Sequence, residues 1–203
     1  MKRILMVIFS LVFMLNLNLS TSYAISFSDL NPNGWAYENI MFLAEQGIIN
    51  GYTDGTYKPE NEVTRGEFLK LIMVALYDGN QYFEINNFGY GHWASMYAIE
   101  AARGGYLMNG TDITGLNDPI SRKEMVNILA KICIKNDIKI LEEGALIKFS
   151  DVESLDDETK IYIDFVTANG LINGYTDGTF KADRTMTRAE VATVMTRFLN
   201  IKF

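Results

Sequence analysis

Gly47-Ile48-Ile49-Asn50-Gly51-Tyr52-Thr53-Asp54-Gly55-Thr56-Tyr57-Lys58 returns 123 residues later as Gly170-Leu171-Ile172-Asn173-Gly174-Tyr175-Thr176-Asp177-Gly178-Thr179-Phe180-Lys181. A second block, Thr64-Arg65-Gly66-Glu67, returns at the same offset as Thr187-Arg188-Ala189-Glu190. Two separate blocks sharing one spacing mean that a whole unit is repeated without a gap. A weaker copy lies between them. Trp93-Ala94 answers Trp35-Ala36, Asn109-Gly110 answers Asn50-Gly51, and Ser121-Arg122-Lys123-Glu124 answers the Thr-Arg-x-Glu block. The arginines stand 57 and 66 residues apart, so three copies of about 60 residues fill nearly all of the chain after residue 24.

Each copy reads as helix, loop, helix. In copy one, Trp35, Ile40, Leu43 and Ala44 give an apolar stripe, and Gly47 supplies a left-handed stop. Gly105 and Gly170 take that place in the other copies. The loop that follows is built on a tight Asp-Gly turn. The second helix then shows spacings of three and four: Phe68, Leu71, Ile72, Ala75 and Leu76 in copy one. Met125, Ile128, Leu129, Ile132 and Cys133 repeat the pattern, as do Val191, Val194, Met195, Phe198 and Leu199. One such unit buries too little surface to be secure alone, whereas three can share a core. The expectation is one mainly α domain of three lobes. Residues 135–148, with Glu142-Glu143-Gly144, read as an outward loop or a helix extension.

The first 24 residues are of a different kind. Lys2 and Arg3 precede an apolar run from Ile4 to Leu15, and Ser22-Tyr23-Ala24 closes the segment. This is the layout of a secretory signal peptide, and the run is shorter than the roughly 20 residues that span a bilayer. The chain has 203 residues and a formal charge of −7, which argues against nucleic acid or anionic lipid held by bulk charge. One cysteine and one histidine exclude a disulfide framework and a Cys/His zinc site. Cys133 falls on an apolar stripe and is expected in the core.

Ser/Thr-Arg-x-Glu opens every second helix, and Thr64/Glu67, Ser121/Glu124 and Thr187/Glu190 fit a capping box. The box leaves the arginine unexplained, because a cation opposes the positive end of the helix dipole. It implies either an acidic partner in the neighbouring lobe or an external anion, held with the amides of the helix start. The Asp54 loop lacks the alternating carboxylates of a calcium site, so turn geometry and packing of Tyr52, Tyr57, Tyr175 and Phe180 are favoured, with sugar-facing aromatics a further option. No catalytic constellation stands out: His92 is at a helix start, and Asp156-Asp157 lies in a polar stretch. No metal or cofactor is expected.

Laid out in order, these blocks resemble the S-layer homology family. The resemblance rests on Phe27-Ser28-Asp29-Leu30, Trp35-Ala36, the Gly47 block and Thr64-Arg65-Gly66-Glu67, and again on Phe149-Ser150-Asp151-Val152, the Gly170 block and Thr187-Arg188-Ala189-Glu190. It implies repeats at 25–84, 85–145 and 146–203, packed as a pseudo-threefold prism around a central three-helix bundle. It also implies non-covalent anchoring to secondary cell-wall polysaccharide of Gram-positive-type envelopes through grooves between repeats. The polymer would be acidic, carrying pyruvate ketals on N-acetylmannosamine. The ligand-binding candidates are then Arg65, Arg122, Arg188, Glu67, Glu190, Trp35, Trp93, Tyr52 and Tyr175, with Asp54, Gly55, Asp177 and Gly178 of the turns.

Copy two departs from the pattern with Gly110-Thr111-Asp112-Ile113-Thr114-Gly115-Leu116, and copy three has Glu158-Thr159 where the others have Trp-Ala. These departures put the arginines of copies one and three first. An acidic chain that holds an acidic polymer needs a few placed cations. The competing readings are an assembly protein packing on other surface proteins without direct glycan binding and, less favoured, a wall-glycan enzyme. With three repeats occupying the 179 residues after the signal segment, the expectation is an anchor without visible cargo.

Overall fold

A computed structural model describes residues 25–77, 91–108, 113–138 and 149–201. The signal segment, the Asn109–Asp112 part of the copy-two loop and the Glu142-Glu143-Gly144 stretch lie outside the described residues. Among the described residues six helices carry the fold: α1 Tyr37–Glu45, α2 Arg65–Leu76, α3 Ser95–Arg103, α4 Arg122–Lys135, α5 Asp157–Ala168 and α6 Arg188–Leu199. The chain is mainly helical, and among the described residues the extended backbone is confined to isolated bridges.

The first helix of every copy ends the same way. Gly47, Gly105 and Gly170 have φ of 69°, 68° and 67°, a region that L side chains rarely enter. The residue after each glycine donates its N–H to a carbonyl of the last helical turn: Ile48 to Leu43, Tyr106 to Ala101 and Leu171 to Val166, at 2.9–3.0 Å. The sequence expectation for the helix stops is met in all three copies.

Partners are exchanged around a ring. Helix α1 packs on α6, α3 on α2 and α5 on α4, so each first helix lies against the second helix of another copy. The backbone repeats this closure. Val63 donates to the Met186 carbonyl (2.9 Å), Met186 to Ile120 (3.2 Å) and Ile120 to Val63 (2.9 Å). Three residues immediately before α2, α4 and α6 thus bond one another in a cycle. The buried core runs through all three copies and includes Ile40, Leu43, Phe68, Ile72, Ile120, Met125, Phe180 and Phe198. Cys133 is buried there, and burial pushes its thiol up to about 12, which leaves it inert.

Two expectations need correction. Trp35 is no part of the α1 stripe: it precedes the helix and is 65% exposed. The apolar face of α2 is centred differently, because Leu69, Met73 and Val74 are buried while Leu71, Ala75 and Leu76 are half-buried. A helix packed between two other copies buries more than one stripe.

Candidate functional site: three inter-copy grooves

Each loop is shaped from its own copy before it meets another. Asp29 accepts N–H bonds from Tyr57 (2.8 Å) and Lys58 (2.7 Å), and Asp151 does the same for Phe180 and Lys181 (2.7 Å each). Burial works to raise the Asp29 carboxyl, but the two amides outweigh it and hold it below its ordinary value. The Phe27 and Phe149 rings lie against Gly51 and Gly174 so closely that a Cβ at either glycine would collide with the ring. These aspartates stood among the matched sequence blocks without a role. Their signal was visible only as recurrence, since the clamp joins residues 28 and 29 positions apart.

The tip of the loop is a turn. Asp54 Oδ1 accepts from the Thr56 amide (3.0 Å) and hydroxyl (2.5 Å), and Asp177 does so from Thr179 at the same distances. Those hydroxyl bonds and the nearby lysines lower both carboxyls to about 2. Gly55 and Gly178 supply the positive φ, 80° and 79°. Lys58 and Lys181 pair with these aspartates and lie 4.1 and 4.3 Å from the Tyr52 and Tyr175 ring centres. Tyr57 and Phe180 are buried, while Tyr52 is exposed and Tyr175 half-buried.

The helix starts are where copies join. Arg188 and Ala189 donate their amides to Asn61 and Pro59, Arg65 and Gly66 to Asp118 and Leu116, and Arg122 and Lys123 to Arg184 and Ala182, all at 2.8–2.9 Å. The expectation of outward-pointing amides ready for an anion is therefore corrected: the next copy's loop has already taken them. The capping boxes form fully at Thr64/Glu67 and Thr187/Glu190. At Ser121 only half of the box forms, because the hydroxyl takes the Glu124 amide while the Glu124 carboxylate turns to Arg65.

Every one of the three arginines reaches into another copy. Arg188 donates Nε to the Tyr57 carbonyl (2.8 Å) and Nη2 to Asn50 (3.1 Å), stacking over Tyr57 and Tyr52. Arg122 repeats this in copy three, with Nε to Phe180 (2.8 Å) and Nη2 to Asn173 (2.9 Å). Arg65 reaches the Thr114 carbonyl in copy two (2.7 Å) and ion-pairs with Glu124. Their environments diverge. Arg122 is 5% exposed, and burial lowers its pKa from the ordinary guanidinium value.

The result is a cavity beside the loops of copies one and two, each called a groove and numbered by the loop's copy, with groove three the equivalent position beside the loop of copy three. Groove one holds a cavity of about 250 Å³ lined by Asn50, Tyr57, Glu67, Lys70, Trp93 and Arg188 over an apolar floor of Ile48, Ile49, Val63, Leu71, Val191 and Ala192. It draws on all three copies. Trp93 presents a ring that is 46% exposed. Lys70 makes no ion pair among the described residues, and the Glu67 carboxylate is turned to its own Thr64. Groove two is the corresponding cavity of about 230 Å³ beside Leu107 and Met108, with Arg65, Glu124 and Asn127 in the matching places. In groove three, Arg184 donates to Glu190 and to the Tyr175 hydroxyl, both at 2.7 Å. Sequence reasoning missed Lys70, Asn127 and Arg184, which lie outside the recurring blocks.

The description "S-layer homology domain" matches residues 26–69 and 148–192. The chain is 31% identical over 85% of its length to an exoglucanase XynX of Acetivibrio thermocellus, covering 16% of that protein. It is 29% identical over 64% of its length to a cellulosome-anchoring protein of the same organism, covering 30% of it. An S-layer protein of Bacillus thuringiensis subsp. finitimus is 25% identical over 82% of this chain, which covers 20% of it. The chain thus spans between 5% and 30% of the length of these and similar curated relatives. Motif order, the two matched segments and these relatives together show that the chain carries S-layer homology domains at residues 26–69 and 148–192, with its place at the cell surface, in the wall or S-layer.

Proposed function

We propose that this chain is a non-covalent anchoring module with no catalytic role, and that it holds acidic wall polysaccharide in groove one of a three-lobed, pseudo-threefold prism. The observation that carries this reading is the meeting of Arg188, Lys70 and Trp93, one from each copy or its flank, around a single cavity. A carboxylate on a sugar needs a guanidinium or ammonium in a partly desolvated place. A pyranose ring needs a flat aromatic face. Groove one offers each of them, and the Arg188 stem is already fixed by two carbonyls, so little freedom is lost on binding. A pyruvate ketal, which sets a carboxylate directly on a sugar ring, suits this arrangement, and N-acetylmannosamine is the sugar expected to carry it. The relatives described as anchoring and S-layer proteins agree with an anchoring role.

Pull-down by purified wall sacculi tests it. Arg188→Gln with Lys70→Gln is expected to lower capture at least about tenfold, and polymer stripped of pyruvate is expected to release the unmodified chain. Undiminished capture in the double variant removes groove one as the site. Concentration-dependent self-assembly without any capture supports the assembly reading, in which other surface proteins are the partners.

A further inference from the structure

Trp93 walls groove one, and the residue before it sets its place. His92 is half-buried and faces a separate cavity of about 360 Å³, which it shares with Ser95, Ile113, Leu116, Asn117 and Asp118. Its Nδ1 accepts the Ala94 N–H at 3.1 Å, and its Nε2 lies 3.0 Å from Asn117 Oδ1. A backbone amide only donates, so Nδ1 carries no proton, and the proton of the neutral ring sits on Nε2 and goes to Asn117. The ring thus ties the start of α3 to the copy-two loop, whose Leu116 and Asp118 carbonyls take the Gly66 and Arg65 amides. Trp93 lies between the two ends of the His92–Ala94 bond, with its indole 5.6 Å from the imidazole centre. Ala94 is fully buried, and a Cβ added at Gly66 would stand 2.9 Å from its own.

The other copies treat this place differently. Thr159 follows Glu158 as Ala94 follows Trp93, and it donates its amide to Asp156 Oδ1 at 2.8 Å. That bond holds the Asp156 carboxyl below its ordinary value, so it goes on accepting well below neutral pH. Copy one has Gly34 before Trp35 and no side chain to offer. Copy two alone uses an acceptor that a proton can silence, and imidazole is the side chain that changes charge between about pH 5 and 8. Protonation would set a second N–H against that of Ala94, donor against donor, and a positive charge at the positive end of α3. The neighbouring charges offset one another. Asp118 shares the cavity with His92, and Arg65 reaches the same spot, since a Cβ at Gly115 would run into both side chains. On α2, which packs against α3, Glu67 and Lys70 both line groove one with Trp93. Further along α3, Glu100 and Arg103 pair with each other.

We propose that His92 is the positioning residue of groove one: its neutral ring holds Trp93 against the cavity, and its protonation releases Trp93, so that the hold on wall polymer weakens as the medium becomes acidic. His92 touches no ligand in this account and acts through Trp93. The sign is fixed by the bond itself, which exists only while Nδ1 keeps its lone pair: binding is full at pH 8 and falls toward pH 5. A carboxylate on the polymer stays ionised over that range, because carboxylates titrate near about 4, so the change belongs to the protein. The inference rests on reading groove one as the glycan site and adds the regulation of that site.

The test begins without polymer. The indole N–H resonances of the chain's two tryptophans and the ring resonances of its one histidine are followed from pH 8 to 5. Trp93 is expected to shift in a single step that tracks the His92 ring, while Trp35, with Gly34 before it, moves little. Capture by purified wall sacculi is expected to fall at least about fivefold over the same range. His92→Ala, which lacks the acceptor, is expected to capture less at every pH. His92→Asn supplies an acceptor that gains no proton, and is expected to restore capture and make it level from pH 8 to 5. A Trp93 signal that ignores the His92 titration overturns the proposal, as does a pH-dependent loss that persists unchanged in His92→Asn. The tryptophan comparison uses the unmodified chain, so it decides the matter even if a variant fails to fold. Failure of the unmodified chain to be captured at pH 8, with the Trp93 step intact, removes the groove-one reading alone. Capture that is undiminished at pH 5 removes this proposal alone.

Discussion

Groove one and groove two are built from matching residues, and the direction of one carboxylate separates them. Glu67 bends back to the amide and hydroxyl of its own cap, Thr64. Glu124 leaves Ser121 and pairs with Arg65 across the copy boundary. Among the described residues the arginine of groove one is therefore held by two carbonyl oxygens and the Tyr52 and Tyr57 rings, which orient it without cancelling its charge, whereas that of groove two is paired with a carboxylate. Groove three takes a third course: Glu190 keeps its cap, its other oxygen accepts from Arg184, and Arg122 is sealed beneath Tyr175 and Phe180. A motif repeated three times in sequence thus has three electrostatic outcomes, and charge available to a ligand is concentrated in one.

The largest effect expected from this contrast is on stability rather than binding. Arg122→Ala leaves the Phe180 carbonyl without its donor in a buried place, at roughly 1–3 kcal/mol, and empties the packed space beneath Tyr175 and Phe180, for a total of about 3 kcal/mol, while the carbonyl of the exposed Asn173 can turn to water. Arg188→Ala removes the same two bonds where Arg188 is half-buried, so water can replace the donor and about 1 kcal/mol is expected. Urea unfolding of the two variants compares them. Equal losses would mean that the buried and half-buried latches are energetically the same, and the division of grooves by burial would fall.

That latch also marks the limit of what the sequence reveals. The helix stops, the capping hydroxyls and the buried Cys133 were legible because each depends on residues within about four positions. The arginine was legible as a question, since a cation at a helix start is unfavourable locally, and the acidic partner in a neighbouring lobe was one of the two answers available. For Arg65 it is Glu124. For Arg122 and Arg188 the partners are backbone carbonyls of Asn173, Phe180, Asn50 and Tyr57. Every residue supplies a carbonyl, so no residue type announces it. Cyclic exchange hid the rest: Lys70, Trp93 and Arg188 line one cavity although they belong to different copies. Arg65 belongs to the same copy as the loop at Asn50, yet the fold sets it against Thr114 and Glu124 of copy two.

A smaller effect tests the swung carboxylate directly. Glu124→Gln removes the charge that neutralises Arg65 while keeping the side-chain volume. About a quarter of each side chain in that ion pair is solvent-accessible (26%), so water screens the pair and the stability change is expected to stay within about 1 kcal/mol. The consequence for binding is larger than for stability: groove two regains a cation, and the chain should capture more pyruvylated polymer, with titration calorimetry moving from one site per chain toward two. Unchanged stoichiometry would show that the missing Lys70 and Trp93 counterparts, Asn127 and Glu158, matter more than the charge on Arg65.

The smallest effect comes from the loop tips, where copies one and three agree. Asp54 and Asp177 have carboxyls lowered to about 2 by the Thr56 and Thr179 hydroxyls, with Lys58 and Lys181 adding to it. A carboxyl lowered on folding contributes stability that is fully present above its unfolded value, here about 3.8, and is lost as pH falls through the folded one. Melting temperature is therefore expected to decline as pH drops from about 4 toward 2, and the decline should be shallower in Asp54→Asn with Asp177→Asn. Part of the slope must survive in that variant, because Asp29, held below its ordinary value by the Tyr57 and Lys58 amides against the opposing effect of burial, loses the same kind of contribution. A variant whose melting curve matches the unmodified chain throughout this range would mean that the turn forms without its charge. The threonine-to-aspartate bonds would then record the loop's shape rather than set it, and the Asp29 clamp at its base would be left as what holds the rim of groove one.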